Sequence, residues 1–169
     1  MQRHLGLDAL RTLGAAIACT AVMTPASAQQ PPDAERHAVL AVVQTFFDGM
    51  AARDVDRLSP ILMPEGRFYA MEERDGKRSM RTFTNAEYVK GLPGRKQAVR
   101  ERMWNPEVRI RGSIASVWTP YDFWRDGSYS HCGVDAFDLI KIDGQWRIAG
   151  GMYTVEAACE PSPLGPLKP

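Results

Sequence analysis

Charge of one sign, cysteine and long apolar runs are all scarce in this chain. Of its 169 residues, 21 are Lys or Arg and 20 are Asp or Glu, a formal charge of +1. A nonspecific nucleic-acid or anionic-membrane binder needs a broad basic field, so neither partner is expected. Three cysteines are too few for a disulfide scaffold. There is no paired-cysteine spacing, and beyond the first thirty or so residues only His37 and His131 supply imidazoles, so a metal site is not expected. Gly-x-Gly-x-x-Gly, the phosphate-cradling loop with its lysine, and Gly-x-Ser-x-Gly are all missing, and no cofactor is expected. With 44% hydrophobic and 24% charged residues the composition excludes disorder, collagen and a coiled coil. The length suits one globular domain.

The one contiguous apolar run, Leu13 to Met23, follows a basic start from Met1 to Arg11 and precedes Ala26-Ser27-Ala28. These are the three parts of a secretory signal peptide, with cleavage expected between Ala28 and Gln29. A run of about eleven residues is too short to cross a bilayer as a permanent helix, so no stable membrane insertion is expected. An alternative lipoprotein cleavage at Ala16-Ile17-Ala18 before Cys19 would cut the apolar run nearly in half. Loss of Arg3, Asp8 and Arg11 with the leader makes the mature chain formally neutral and leaves Cys132 and Cys159, which could pair in an oxidising periplasmic or extracellular compartment. The expected organisation is a signal peptide over 1–28, a short linker over 29–33, one domain over 34–159, and a disordered Pro-rich tail over 160–169.

Asp33 is a plausible N-cap, after which Val39, Val42, Val43, Phe46, Phe47 and Met50 fall at helical spacing. Asp54 can cap a second short helix through Leu58, and Pro60 and Pro64 end it before an aromatic strand beginning near Arg67. Asp75-Gly76 predicts a hairpin back to Phe83. Thr84 and Glu87 read as a capping box for a short helix over 86–90. From Pro106 onward four strands are separated by Gly112-Ser113, Asp126-Gly127 and Asp143-Gly144, an antiparallel meander. Helices first and strands afterwards predict an α+β domain, with helices covering one sheet face.

Two-residue turns at Asp143-Gly144 and Asp126-Gly127 would set Leu139 opposite Ile148, Asp135 opposite Met152, Asp122 opposite His131, and Trp118 opposite Asp135. Trp118, Asp122, His131 and Asp135 would then share a face with Phe137, Leu139, Ile148 and Met152, the face covered by the first helix. Two carboxylates and an imidazole at one end of an apolar chamber suit proton transfer, because desolvation raises a carboxylate's proton affinity. A cross-strand Asp-His pair can equally be a register-holding surface hydrogen bond. A longer turn, or a bulge at Gly150-Gly151, would move these side chains to the other face.

The opposite face carries Val134, Ala136, Ile140 and Tyr153 and is apolar too, which predicts a homodimer through the sheet or a covering loop. Arg95, Lys96, Arg100, Arg102, Arg109 and Arg111 form a basic stretch that could hold an anionic ligand or face solvent as a charged edge strand. A regular register places Cys132 opposite Val155, with Cys159 about 13 Å farther along, so a disulfide between Cys132 and Cys159 needs a bulge or a curled terminus.

The junction Leu62-Met63-Pro64-Glu65-Gly66, the segment Tyr121 to Asp126, Ser130-His131-Cys132-Gly133-Val134-Asp135-Ala136-Phe137 and Gly144-Gln145-Trp146-Arg147-Ile148-Ala149 carry a resemblance. Over about residues 34–159 the chain resembles the nuclear transport factor 2-like superfamily, and is similar to exported SnoaL-like bacterial members with a lumazine-binding label. The resemblance implies a cone-shaped curved sheet wrapped around the first helix, an apolar pocket, and often a homodimer. Relatives use the cone for acid–base chemistry or for binding alone, so fold does not settle function. The first expectation is an exported pocket protein for a small apolar or aromatic ligand, with Trp118, Tyr69, Phe137 and Met152 as walls. The second is a cofactor-independent isomerase, dehydratase or cyclase, in which Asp135 is the acid or base and His131, supported by Asp122, relays the proton. The third is a dimerisation module whose cone is filled by its own side chains.

Overall fold

Asp33–Ala52 form one helix, α1, whose Val39, Val43, Phe46, Phe47 and Met50 recur every three or four residues and are all buried. The structure, a computed structural model, describes residues 33–74 and 76–167. The leader expected over 1–28, its expected cleavage between Ala28 and Gln29, and all but Asp33 of the linker expected over 29–33 lie outside the described residues. Asp54 opens α2 (Val55–Leu58), its Oδ1 accepting from the Arg57 amide at 2.9 Å. A 3₁₀ turn, Ser59–Ile61, leads into β1 (Leu62–Arg74), and β2 (Lys77–Thr84) returns beside it. The capping box opens α3 (Asn85–Gly91): the Glu87 amide donates to Thr84 Oγ1 at 3.1 Å and the Thr84 amide donates to Glu87 Oε2 at 2.7 Å. The remaining strands are β3 (Val99–Met103), β4 (Glu107–Arg111), β5 (Ile114–Arg125), β6 (Ser128–Ile142) and β7 (Gln145–Val155).

These strands form one seven-stranded sheet in the order β2-β1-β7-β6-β5-β3, with β4 also on β5. All pairs are antiparallel except β1 with β7, so the early hairpin joins the late meander through a parallel pair that local turn signals do not reveal. Gly66 makes the junction possible: a Cβ there would lie 2.0 Å from the Ala149 carbonyl oxygen. Asn85 fastens the same place, its buried amide donating to the carbonyls of Met63 at 2.7 Å and Ile148 at 3.2 Å.

Both anticipated turns are two-residue turns with left-handed backbone, φ 49° and 76° at Asp126-Gly127 and 51° and 79° at Asp143-Gly144. The registers they start do not persist. Trp124 faces Tyr129, but Phe123 faces His131, leaving Ser130 as an extra residue; Leu139 faces Ile148, but Asp138 faces Gly150, leaving Ala149 extra. Asp122 therefore pairs with Cys132 rather than His131, Trp118 with Ala136 rather than Asp135, and Asp135 with Thr119 and Tyr153 rather than Met152. One inserted residue reverses the face of everything beyond it.

α1 packs against the concave face. Phe46 has the ring centroids of Phe47, Phe68, Tyr88 and Phe137 at 5.5–6.0 Å. The helix start is tied to the last hairpin through Glu35, which accepts from Lys141 Nζ at 2.7 Å and Trp146 Nε1 at 3.0 Å.

The disulfide Cys132–Cys159 has a Cα–Cα distance of 6.1 Å. The Ala149 bulge moves Cys132 opposite Glu156, and regular β7 pairing ends at Val155, so the chain can curl back within reach. The Pro-rich segment expected to be disordered is described as far as Leu167, and its Gly165 carbonyl accepts from Arg102 Nη2 at 2.7 Å. With a sequence separation of 27 between the cysteines, the chain-entropy model assigns the cross-link about 3.5 kcal/mol. Cys159→Ser should lower stability by about that amount, measured as the shift in the urea midpoint under non-reducing conditions.

Candidate functional site

Between α1, α3 and the concave sheet face lies a cavity of about 640 Å³. Its walls are aromatic: Phe46 from α1, Phe68 and Phe83 from the first hairpin, Tyr88 from α3, and Phe123 and Phe137 from β5 and β6. Alternation brings Tyr121 and Phe123 of β5, His131 and Asp135 of β6, and Tyr153 of β7 to the same face. Edge strand β3 adds Glu101, which faces Phe123 across the ladder.

Glu101 and Asp135 form a hydrogen-bonded carboxyl pair, and among the described residues neither forms an ion pair. Burial pushes both groups above the ordinary carboxylate range, Asp135 to about 8, and the bond between them raises Glu101 while lowering Asp135. The two carboxyls titrate as a pair, holding a proton between them at higher pH than ordinary carboxylates do. Asp135 Oδ2 is buried and has no hydrogen-bond partner, as is Tyr88 Oη. Tyr121 is anchored, its Oη donating to the Thr154 carbonyl at 2.6 Å, and burial raises its phenol. Tyr153 is raised by burial too.

His131 lies flat on Phe123, ring centroids 4.7 Å apart and planes at 20°, with its Nδ1 3.0 Å from Ser130 Oγ. Desolvation first, then the positive charge of Arg125, pulls its imidazole down to about 4. It is neutral at physiological pH, with one ring nitrogen able to donate a hydrogen bond and the other able to accept one.

Of the residues singled out from sequence, Asp135, His131 and Phe137 line the cavity. Asp122, expected to support His131, does not. It lies on the convex face, almost fully buried, where Arg102 Nε and Nη2 donate to its two oxygens at 2.9 and 2.5 Å. Trp118, Tyr69 and Met152 are not cavity walls either: they stand in one row across the convex face, 54%, 40% and 54% exposed. Tyr153, expected outside, is inside. Both bulges cause these reversals. Glu101 was missed because Arg100, Glu101 and Arg102 read as a solvated charged edge; the alternation of Val99, Glu101 and Met103 against two arginines was the available signal.

A carboxyl that binds its proton more tightly folded than unfolded loses stabilising power as pH rises from its ordinary 3.8 through about 8. His131 acts oppositely, costing stability as pH falls from 6.5 toward about 4. Asp135→Asn should therefore reduce the decline in stability between about pH 4 and about pH 8 and leave the His131 contribution on the acid side in place, read as urea midpoints across that pH range.

Residues 34–154 match the family described as "Putative lumazine-binding". No curated protein matches the chain. Solved structures share the fold at low identity. A Nostoc punctiforme protein of unknown function with a cystatin-like fold has a TM-score of 0.61 at 11% identity, over 78% of this chain and 98% of that one. An NTF2-like protein from Cytophaga hutchinsonii has a TM-score of 0.60 at 17% identity, over 72% and 98%. A nuclear transport factor 2-like superfamily protein from Salmonella enterica serovar Typhimurium has a TM-score of 0.59 at 14% identity, over 79% and 98%. With a match over residues 34–154, most of its length, the chain belongs to the family described as "Putative lumazine-binding", and it shares its fold with NTF2-like proteins of known structure.

Proposed function

We propose that this is an exported protein that binds a small, largely apolar or aromatic molecule in its cone. One observation carries the reading: a cavity of about 640 Å³, aromatic-walled, with a buried Asp135 oxygen lacking a partner. Ligand pockets are commonly of this size, apolar with a few convergent polar groups. A flat ring of the kind the family description names would stack among these phenyl groups and meet Asp135 at its edge. Export is supported by the Cys132–Cys159 disulfide, which suits a periplasmic or extracellular compartment. The exposed row Tyr69, Met152 and Trp118 supports a homodimer through the convex face. The open cavity speaks against a cone filled by its own side chains.

A second reading, a cofactor-independent isomerase, dehydratase or cyclase, is favoured by the Glu101–Asp135 pair. One carboxyl of the pair would take a proton from a bound substrate while the other holds one, both raised above the ordinary carboxylate range by burial.

Native mass spectrometry of the exported protein tests the first reading. The expected spectrum shows a chain beginning at Gln29, a mass lower by two hydrogens for the disulfide, a dimer, and a retained small molecule. An exported protein that holds nothing and takes up no aromatic ligand would overturn it. Asp135→Asn separates the readings: retained binding with turnover reduced by about 100-fold or more supports the enzyme, and binding without turnover in the wild type supports the binder.

A further inference from the structure

Three arginines from different elements line the cavity and are exposed: Arg81 of β2, Arg95 just after α3, and Arg125 at the end of β5. Arg95 Cζ lies 4.5 Å from the Tyr88 ring centroid and Arg125 Cζ 5.6 Å from that of Phe123, so two of the cations rest on aromatic walls. Among the described residues none of the three forms an ion pair. Of the two acids that also line the rim, Glu87 is committed to the α3 cap through the Thr84 amide, and Glu72 is engaged by an interaction of its own. The mouth therefore presents more positive than negative charge, in a protein whose overall balance is near zero. All three charges act on the same space: Arg125 and Arg81 both disfavour a charged His131, and Arg81 and Arg95 both act on Tyr153. The floor has the opposite character, because the Glu101–Asp135 pair retains a proton and repels an anion once it loses it.

We propose that the cavity selects an organic anion: an apolar ring-bearing body inside, a carboxylate- or sulfonate-type group held at the mouth by Arg81, Arg95 and Arg125, and a neutral polar edge at the carboxyl pair. Guanidinium groups suit such a group because their N–H forks match its oxygens. The proposal rests on the cavity being the ligand site, and fixes both the class of ligand and the direction in which it enters.

The test uses two fluorescent probes that share their rings and differ in charge, anilinonaphthalene sulfonate and the neutral phenylnaphthylamine. On the wild-type protein the sulfonate should bind about tenfold more tightly than the neutral probe. The double variant Arg81→Gln, Arg125→Gln should weaken the sulfonate about tenfold and the neutral probe less than about twofold. Added salt should weaken the sulfonate alone. Gly91→Trp localises the probes to the cavity, since Gly91 lines it, has an ordinary φ of −81°, and a Cβ there meets nothing within 4 Å; it should weaken both. Equal binding of the two probes, or equal loss of both on removing the arginines, would overturn anion selection and leave the cavity as ligand site. Failure of both probes to bind, or indifference of both to Gly91→Trp, would overturn the two together.

Discussion

The aromatic face of α1 is the constraint on which the rest depends. Phe46 and Phe47 drive into the concave sheet, and the rings of Phe68, Tyr88 and Phe137 close around Phe46. Each ring buries a large apolar surface, and edge-to-face contacts add directionality to that burial. The sheet must curve to meet the helix from both sides. Beyond Phe46 and Met50, which line the cavity, the curved face continues without a helix to fill it. The same packing that stabilises the fold therefore creates the chamber.

Inside that chamber, electrostatics follows from exclusion of water. The two carboxyls remain buried by sharing protons, and the imidazole lining the same cavity is kept neutral by desolvation. Asp122, one strand position away from that face, has the opposite fate: Arg102 donates to both its oxygens in a structural bridge. Chemistry and structure are separated by the side of the sheet, not by residue type.

Much of the architecture was legible in the sequence. The period of Val39, Val43, Phe46 and Phe47, the Asp54 cap, the Thr84–Glu87 box and the two Asp-Gly turns each depend on a few neighbouring residues, and each sets a local geometry directly. His131, Asp135 and Phe137 were placed inward because they share one strand and one parity. What could not be read is whatever depends on register across strands. Ser130 carries no local mark as a bulge, and Gly150-Gly151 marked only where one could form beside Ala149; together the two bulges send Asp122, Trp118 and Met152 to the convex face and bring Tyr153 inside. Tyr69 faces outward by its pairing with Met152, and the parallel partner of β1 lies far away in sequence. Glu101 was hidden for a related reason: a short charged strand looks like a solvated loop until its neighbour is known.

Strand β3 places adjacent residues in two different mechanical settings. Glu101 reaches into the chamber, while Arg102 grips Asp122 and the Gly165 carbonyl of a carboxyl-terminal segment itself cross-linked to β6 through Cys159. This edge strand of five residues pairs on one side, with β5. The end of the chain thus works as a splint laid across the back of the sheet, so that the position of a proton inside the protein is braced by residues that never approach it.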